Sequence, residues 1–315
     1  MDMKSSESAY YSGEHGLYHN HCQSMGTRLD VIMHGLEEEK AEQAFEIIYA
    51  GISDLEDKLS HFDPNSPISM INRIAAKKPV TVGEEIYAVL ELCMEYYNKT
   101  SGLFDISMGK VTSENKSGRI ESSIISELLQ HTGMDKLSLD PAEKSVKFLN
   151  DQVEIDLGGF GKGFALDGIK TQLASMEITD AFISFGDSSI LAIGNHPHGK
   201  GWKSGISHLL KPGESIFDFD LADESLSTSG TGPNNTRGGQ NAHVLHPRKG
   251  LIDPGFQHVS AVSKLAIEAE ILSTALLAAS EEEKISLLAK FPDCRAVEIK
   301  YNETGMPQVQ KYNIE

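Results

Sequence analysis

Asp156-Leu157-Gly158-Gly159-Phe160-Gly161-Lys162-Gly163-Phe164-Ala165-Leu166-Asp167 sets four glycines and a lysine between two patterned runs. Val153-Glu154-Ile155-Asp156 before it alternates as a strand does, and the residues after it, through Leu173, have the spacing of an amphipathic helix. A glycine-rich turn that opens a helix exposes backbone N–H groups at the helix N-terminus, and such a terminus suits a phosphate. The segment is therefore expected to mark an anionic-ligand site. It is neither of two familiar phosphate motifs. Phe160 stands where G-x-G-x-x-G needs its second glycine, and Gly163 follows Lys162 where a P-loop needs Ser or Thr. The alternative is a tight turn that uses glycine for its positive φ.

Outward from that turn, 315 residues suffice for one large domain or two subdomains sharing a core. A hydrophobic fraction of 39% and a charged fraction of 23% are those of an ordinary globular protein. The net charge of −18 argues against a nucleic-acid surface and against docking on anionic lipid, and serves solubility. Cys22, Cys93 and Cys294 are widely spaced and odd in number, which implies no disulfide framework and a reducing compartment. Met1 to Tyr18 is polar, without the apolar core of a signal peptide, and no stretch reads as a membrane span. A cytoplasmic location is expected, or a periplasmic one if a signal has been removed.

Residues 1–22 read as a loose polar arm and 23–315 as a single domain. Within the arm, His15, His19, His21 and Cys22 offer metal-ligand chemistry, or are chance histidines of a tail. Leu29–Met33 reads as a strand. Ala41, Phe45, Ile48, Ile52, Leu55 and Leu59 recur at spacings of three and four and predict a helix. A turn-rich loop at 60–67 leads to a second helix after Val82-Gly83, ending near Ser101-Gly102. Residues 110–125 are expected to form a polar loop. Leu137–Asp140 and Val146–Leu149 read as a hairpin, 181–185 and 190–193 as buried strands, and 215–260 as short strands among glycine-rich loops. A final helix is expected from near Ile267, with Ile271, Leu272, Ala275 and Leu276 on its apolar face. Helices and strands interleave without strict alternation, so the predicted class is α+β with mixed sheets rather than a doubly wound sheet.

Seven short motifs follow one another along this chain. They are Met25-Gly26-Thr27; Ser60-His61-Phe62 with Ser66 and Ile68–Asn72; Gly102-Leu103-Phe104-Asp105; the glycine-rich turn; Thr228-Ser229-Gly230; His243-Val244-Leu245-His246-Pro247-Arg248-Lys249-Gly250; and Ala269-Glu270-Ile271-Leu272-Ser273-Thr274. Their order over about residues 24–290 resembles the ApbE-type FAD:protein FMN transferases, once called thiamine-biosynthesis lipoproteins. The resemblance implies a T-fold-like α+β enzyme of two intertwined subdomains with a deep FAD pocket between them. It also implies Mg²⁺-dependent cleavage of FAD, release of AMP, and attachment of FMN through a phosphoester to a Thr or Ser of an acceptor protein. Some members instead hydrolyse FAD to FMN and AMP.

Residue by residue, the resemblance places Phe62 as the aromatic that stacks on the isoalloxazine ring, a task an aromatic face performs without a polar group. The alternative for Phe62 is a core residue closing the preceding helix. Met25 is placed along the flavin, and Leu103, Phe104 and Asp105 on the adenosine side, where Asp105 could accept hydrogen bonds or else cap its own loop. Gly158, Phe164 and Leu245 are placed among the other FAD contacts. Glu270 and Thr274, four apart on a helix, lie on one face and could present a carboxylate and a hydroxyl to Mg²⁺, or simply bond each other. The resemblance adds the Gly161 carbonyl as a third metal ligand. His243 is a candidate base for the incoming hydroxyl, or a structural histidine. Zinc at His243 and His246 lacks a third ligand at convincing spacing.

Several positions depart from the family pattern. Glu270 stands for the usual aspartate, one methylene longer, which bears on the strict geometry of Mg²⁺. His246 and Lys249 replace an aspartate and a threonine, and Lys249 could itself meet a phosphate. Asp187 replaces a glycine, and Pro67 a glutamate. These departures leave open a transferase, an FAD pyrophosphatase, or a flavin-binding protein without catalysis.

Overall fold

The computed structural model describes residues 10–14, 16–116, 122–208, 210–211, 213–231, 244–252 and 255–314. The first elements are β1 (Tyr10–Ser12), β2 (Leu17–Ser24), β3 (Thr27–Met33), α1 (Glu38–Leu59), α2 (Pro67–Ile74), β4 (Val80–Thr81) and α3 (Glu84–Lys99). Then come α4 (Gly109–Lys116), α5 (Ser122–Leu129), β5 (Leu137–Asp140), β6 (Ser145–Phe148), α6 (Gly161–Ser175), β7 (Ala181–Phe185), β8 (Ser189–Ile193), β9 (Trp202–Ser207) and β10 (Ser215–Leu221). The last are β11 (Glu224–Thr231), β12 (Leu245–His246), β13 (Gly250–Leu251), β14 (Gln257–Ser263), α7 (Ala266–Ala278), α8 (Glu281–Leu288), β15 (Arg295–Tyr301) and β16 (Pro307–Tyr312). The class is α+β, as expected. No helix among the described residues is long and apolar enough to cross a membrane.

Nine strands form one sheet in the order β1-β2-β3-β7-β8-β11-β14-β15-β16. Every neighbouring pair in it is antiparallel. Side chains alternate between its faces. Ile183 and Leu191 face α1 and α6, whereas Ile190 and Ala192 face Trp202, Ile206, Phe219 and Leu221 of the β9–β10 hairpin. Helices therefore cover one face and a hairpin the other. A second apolar core gathers α2, α3 and the β4-β6-β5 sheet around α7.

α7 packs on β11, β14 and α6. It is apolar on nearly all sides, and Ala266, Ile267, Ala269, Ile271, Leu272 and Ala275–Ala278 are all buried. That makes it a core helix rather than the one-sided helix expected from its sequence. Two devices lock α6 to it. Gly163 lies so close that a Cβ there would come within 2.8 Å of Ala266 O and Ile267 Cα. Asp167 accepts the N–H groups of Ala266 at 2.8 Å and Ile267 at 3.0 Å, so its carboxylate caps the start of α7 from outside the helix.

Four expectations need correction. The polar arm does not extend to residue 22. β2 pairs with β3 from Tyr18 to Ser24, and Tyr18 is 1% exposed, because alternate residues of this polar stretch turn inward. Residues 1–9 and His15 lie outside the described residues. Residues 110–125 are not simply a loop, because α4 and α5 occupy most of them and Val111 and Ile125 pack with Met108 and Leu245. Val153–Asp156 is extended but joins no sheet beyond an isolated parallel bridge between Met108 and Glu154. The side-chain amide of Asn72 substitutes for a neighbouring strand, donating to Ile155 O at 2.9 Å and accepting from Ile155 N at 2.7 Å. Finally, α7 is not the last element, since α8, β15 and β16 complete the helix layer and the sheet edge.

Gly163→Ala should push α6 off α7 and cost about 1–3 kcal/mol, the usual range for overpacking. A thermal melt equal to wild type would show that the two helices part without strain.

Candidate active site

Two cavities meet at the glycine-rich turn. The first, of about 380 Å³, is lined by Met25, Gly26, Glu56, Leu59, Ser60, His61, Phe62, Leu157, Gly158, Gly161 and Lys162. The second, of about 500 Å³, takes in Leu103–Ile106, Asp156, Gly158, Gly159, Lys162, Ser189, Ser227–Ser229, Leu245, Glu270 and Thr274. Gly158 and Lys162 belong to both walls. Each volume falls in the range of small-molecule sites.

Phe62 stands in the first cavity with 81% of its surface exposed, so it is not the core residue its sequence position allowed. A large aromatic left in solvent has burial energy still to be gained. Its loop is held firmly. Ser60 Oγ accepts from Phe62 N at 3.2 Å and Asp63 N at 3.1 Å, and Ser69 Oγ donates to His61 O at 3.1 Å. Ser66 caps α2 through Ser69 N at 3.0 Å and donates to Ser60 O. The His61 ring lies 3.8 Å from that of Phe62 and reaches Asp156 of the glycine turn, Nδ1 to Oδ1, at 3.5 Å. Met25 faces them from the β2–β3 turn, with a positive φ of 47°.

At the junction, Glu270 is 3% exposed on the apolar helix α7. Its Oε1 accepts from Lys162 Nζ at 2.8 Å and its Oε2 from Ser189 Oγ at 3.2 Å. One turn on, Thr274 Oγ1 lies 3.0 Å from Ser229 Oγ, which is 2.9 Å from Ser273 Oγ. Ser273 donates in turn to Ser227 Oγ at 3.2 Å. These hydroxyls align because Ser227 and Ser229 are two apart on β11 and share its face. The turn backbone runs beside them, since a Cβ on Gly159 would lie 4.0 Å from Thr274 Oγ1. A carboxylate, hydroxyls and backbone carbonyls form the oxygen donor set that a hard cation takes. No side chain caps α6, whose first residue, Gly161, opens onto the first cavity. The turn after β7 does require positive φ, with Gly186 at 62° and Asp187 at 60°, a conformation aspartate tolerates.

Met25, Phe62, Gly158, Leu103, Phe104, Asp105, Leu245, Glu270 and Thr274 thus surround two joined chambers. Gly161 lines the chamber next to Glu270 and Thr274 rather than their own. Phe164 is in neither. It stacks on Phe160 at 5.2 Å and borders a groove between α1 and α6. His243 lies outside the described residues. His246 is buried. Its Nε2 meets Glu283 at 3.1 Å and its Nδ1 accepts from Arg248 N, and burial lowers its basicity. Lys249 also pairs with Glu283, at 3.0 Å, and lines a separate hollow with Arg248 and Tyr97. Burial opposes the Glu283 charge, yet bonds from Ser280, Lys249 and His246 hold its carboxyl below the usual range. Lys162, Ser189 and Ser227 were given no role from sequence. The lysine stood within the glycine turn, and the alternating serines of residues 225–229 were the signal for the hydroxyl row.

Residues 25–297 match the ApbE family. The chain belongs to that family. A FAD:protein FMN transferase of Buchnera aphidicola subsp. Schizaphis graminum is 26% identical over 247 residues, 73% of this chain and 71% of its own. One from Chlamydia trachomatis is 26% identical over 77% of this chain and 78% of its own. The crystal structure of the ApbE protein of Thermotoga maritima superposes with a TM-score of 0.80 at 23% identity, covering 93% of this chain and 96% of that one. The flavin transferase ApbE of Vibrio cholerae gives a TM-score of 0.78 at 18% identity over 97% of each chain. The ApbE fold therefore extends over most of the chain.

In this ApbE-family chain Asp105 both caps its loop and faces the second cavity. Its Oδ1 accepts from Ser107 N at 2.8 Å and Ser107 Oγ at 2.6 Å, while burial pushes its pKa up to about 6. That value lies above the ordinary carboxylate range, so the folded state holds the proton where the unfolded chain has lost it. The resulting stability is complete below about pH 4 and is lost as pH rises through about 6. Asp105→Asn should stabilise the fold at pH 7 by on the order of 1 kcal/mol after discounting solvent screening, read as a higher Tm, and change little at pH 4. Equal shifts at both pH values would contradict the burial effect.

Proposed function

We propose that this chain is a flavin transferase that takes FAD as substrate, releases AMP and attaches FMN through a phosphoester to a Thr or Ser of an acceptor protein. The observation that carries the proposal is the pair of chambers joined at Gly158 and Lys162, with an exposed aromatic in one and an oxygen cluster where they meet. A dinucleotide flavin presents two ring systems joined by a diphosphate, and the two chambers match that division. The relatives' transferase names and the family match support the same reading.

In it, Phe62 is the stacking platform for the isoalloxazine and Met25 closes the ring's edge. Leu103, Phe104, Asp105 and Leu245 take the adenosine side. The acceptor hydroxyl forms a P–O bond to the FMN phosphorus, the bridging P–O bond to AMP breaks, and the hydroxyl proton passes to a base, for which His243 is the candidate. Glu270 and Thr274, with a carbonyl of the glycine turn, would hold Mg²⁺, which when bound supplies charge neutralisation at the diphosphate. The protein's part is to position the reacting groups and keep the site preorganised.

Incubation of the protein with FAD, Mg²⁺ and a candidate acceptor should add the mass of one FMN to the acceptor and release AMP. Steady AMP release without any mass gain would identify an FAD pyrophosphatase. Intact FAD would identify a binding protein, a reading favoured by the existing Lys162 partner of Glu270. Phe62→Ala should weaken FAD binding about tenfold, the order of one aromatic stack. Glu270→Ala should lower Mg²⁺-dependent turnover by about 10²-fold or more while sparing FAD binding. Normal turnover in that variant would remove Glu270 from the metal assignment.

A further inference from the structure

Among the described residues Lys162 holds the only ammonium on the wall shared by the two cavities, and Glu270 Oε1 is its hydrogen-bonding partner at 2.8 Å. The two side chains differ sharply in exposure, 23% for Lys162 and 4% for Glu270. A carboxylate so deeply placed in an apolar helix needs a cationic or hydrogen-bonding partner, because its desolvation is otherwise uncompensated. Ser189 supplies one neutral bond, and Lys162 supplies the charge. Yet Glu270 is also the carboxylate that a divalent ion bound beside Thr274 would use. An ammonium and a divalent ion sharing one carboxylate repel each other strongly in a poorly solvated site.

We infer that Lys162 is an exchangeable internal cation: it neutralises Glu270 while no divalent ion is bound, and on metal loading it releases Glu270 and turns its ammonium to the diphosphate of FAD. The lysine is suited to the exchange. It sits in the first turn of α6, its four-carbon stem is flexible, and both chambers open beside it. The site then keeps a counter-charge for Glu270 in either state, and the second cation reaches the substrate only once the first is in place. Lys162 thus acts as a substrate-binding residue that couples metal affinity to flavin affinity. This proposal rests on the flavin-transferase reading and names the order in which charge is delivered to that site.

The coupling gives a sign that a structural lysine does not. If Glu270 is held by Lys162 nine-tenths of the time, apparent metal affinity is reduced about tenfold, and removing the competitor restores it. Full-length, FAD-free protein is titrated with Mn²⁺ alone, and free Mn²⁺ is counted by EPR. Lys162→Met should bind Mn²⁺ about tenfold more tightly than wild type, whereas Lys162→Arg, which keeps the cation, should stay near wild type. Lys162→Gln provides the same neutral change if the methionine variant folds poorly. FAD affinity, read from flavin fluorescence with Mn²⁺ present, should fall about tenfold in Lys162→Met, the size of one charge-assisted contact. Unchanged or weaker Mn²⁺ binding in both neutral variants overturns the exchange, as does a failure of either to bind Mn²⁺ at all. AMP release by wild type separates the two ideas. Cleavage of FAD by wild type with no gain in Mn²⁺ affinity on neutralising Lys162 rejects the exchange alone. A gain in Mn²⁺ affinity with no cleavage of FAD rejects the transferase reading alone.

Discussion

A carboxylate buried in a largely apolar helix is the constraint around which this molecule is arranged. Glu270 occupies a position on α7 where its neighbours are Ala269, Ile271 and Leu272, all inaccessible to solvent. Ionised and alone it would cost several kcal/mol there, so its partners must be held in place by the fold. Lys162 arrives from α6 and Ser189 from β8. Each comes from a different part of the chain, and the pairing therefore demands that the sheet and both helices be assembled before the site exists.

The locking of α6 to α7 follows from that demand. Gly163 lets the two backbones approach, and the Asp167 carboxylate caps α7 one helical turn beyond Lys162. The glycine turn is thereby pressed between the hydroxyl row of β11 and α7 on one side and the Phe62 loop on the other. That loop is fixed through Ser60, Ser66 and Ser69. Lys162 stands at the joint between the two chambers on a long flexible stem. Preorganisation of this kind places charge before the substrate arrives.

The agreement with solved ApbE structures at 18–23% identity shows how few residues such an architecture pins down. Alternation of apolar residues across a sheet covered on both faces tolerates many substitutions of similar size. Close backbone approaches, such as that of Gly163 to α7, and buried charges, such as that of Glu270, tolerate far fewer.

Much of the secondary structure was legible in one dimension. α1, α3, the β5–β6 hairpin, β7 and β8 carry strong periodicity, and local pattern alone identifies them. Residues 10–22 misled because a polar strand in a sheet needs only alternate side chains buried, and residues 153–156 because Asn72 supplies the bonds of a missing strand. Motif order offered Phe62, Asp105, Gly158, Glu270 and Thr274 as candidates, since each sits in a short local signature, and all five line the two joined chambers. Sequence determined which chemical groups this protein carries and the periodicities that make its helices and strands. Tertiary structure alone decided that Phe62 is left in solvent, that Phe164 faces away from both chambers, and that Lys162 meets Glu270 across 108 residues. The physical reason is that charge pairing and burial depend on distances in space, and distances between remote segments are not encoded in local pattern.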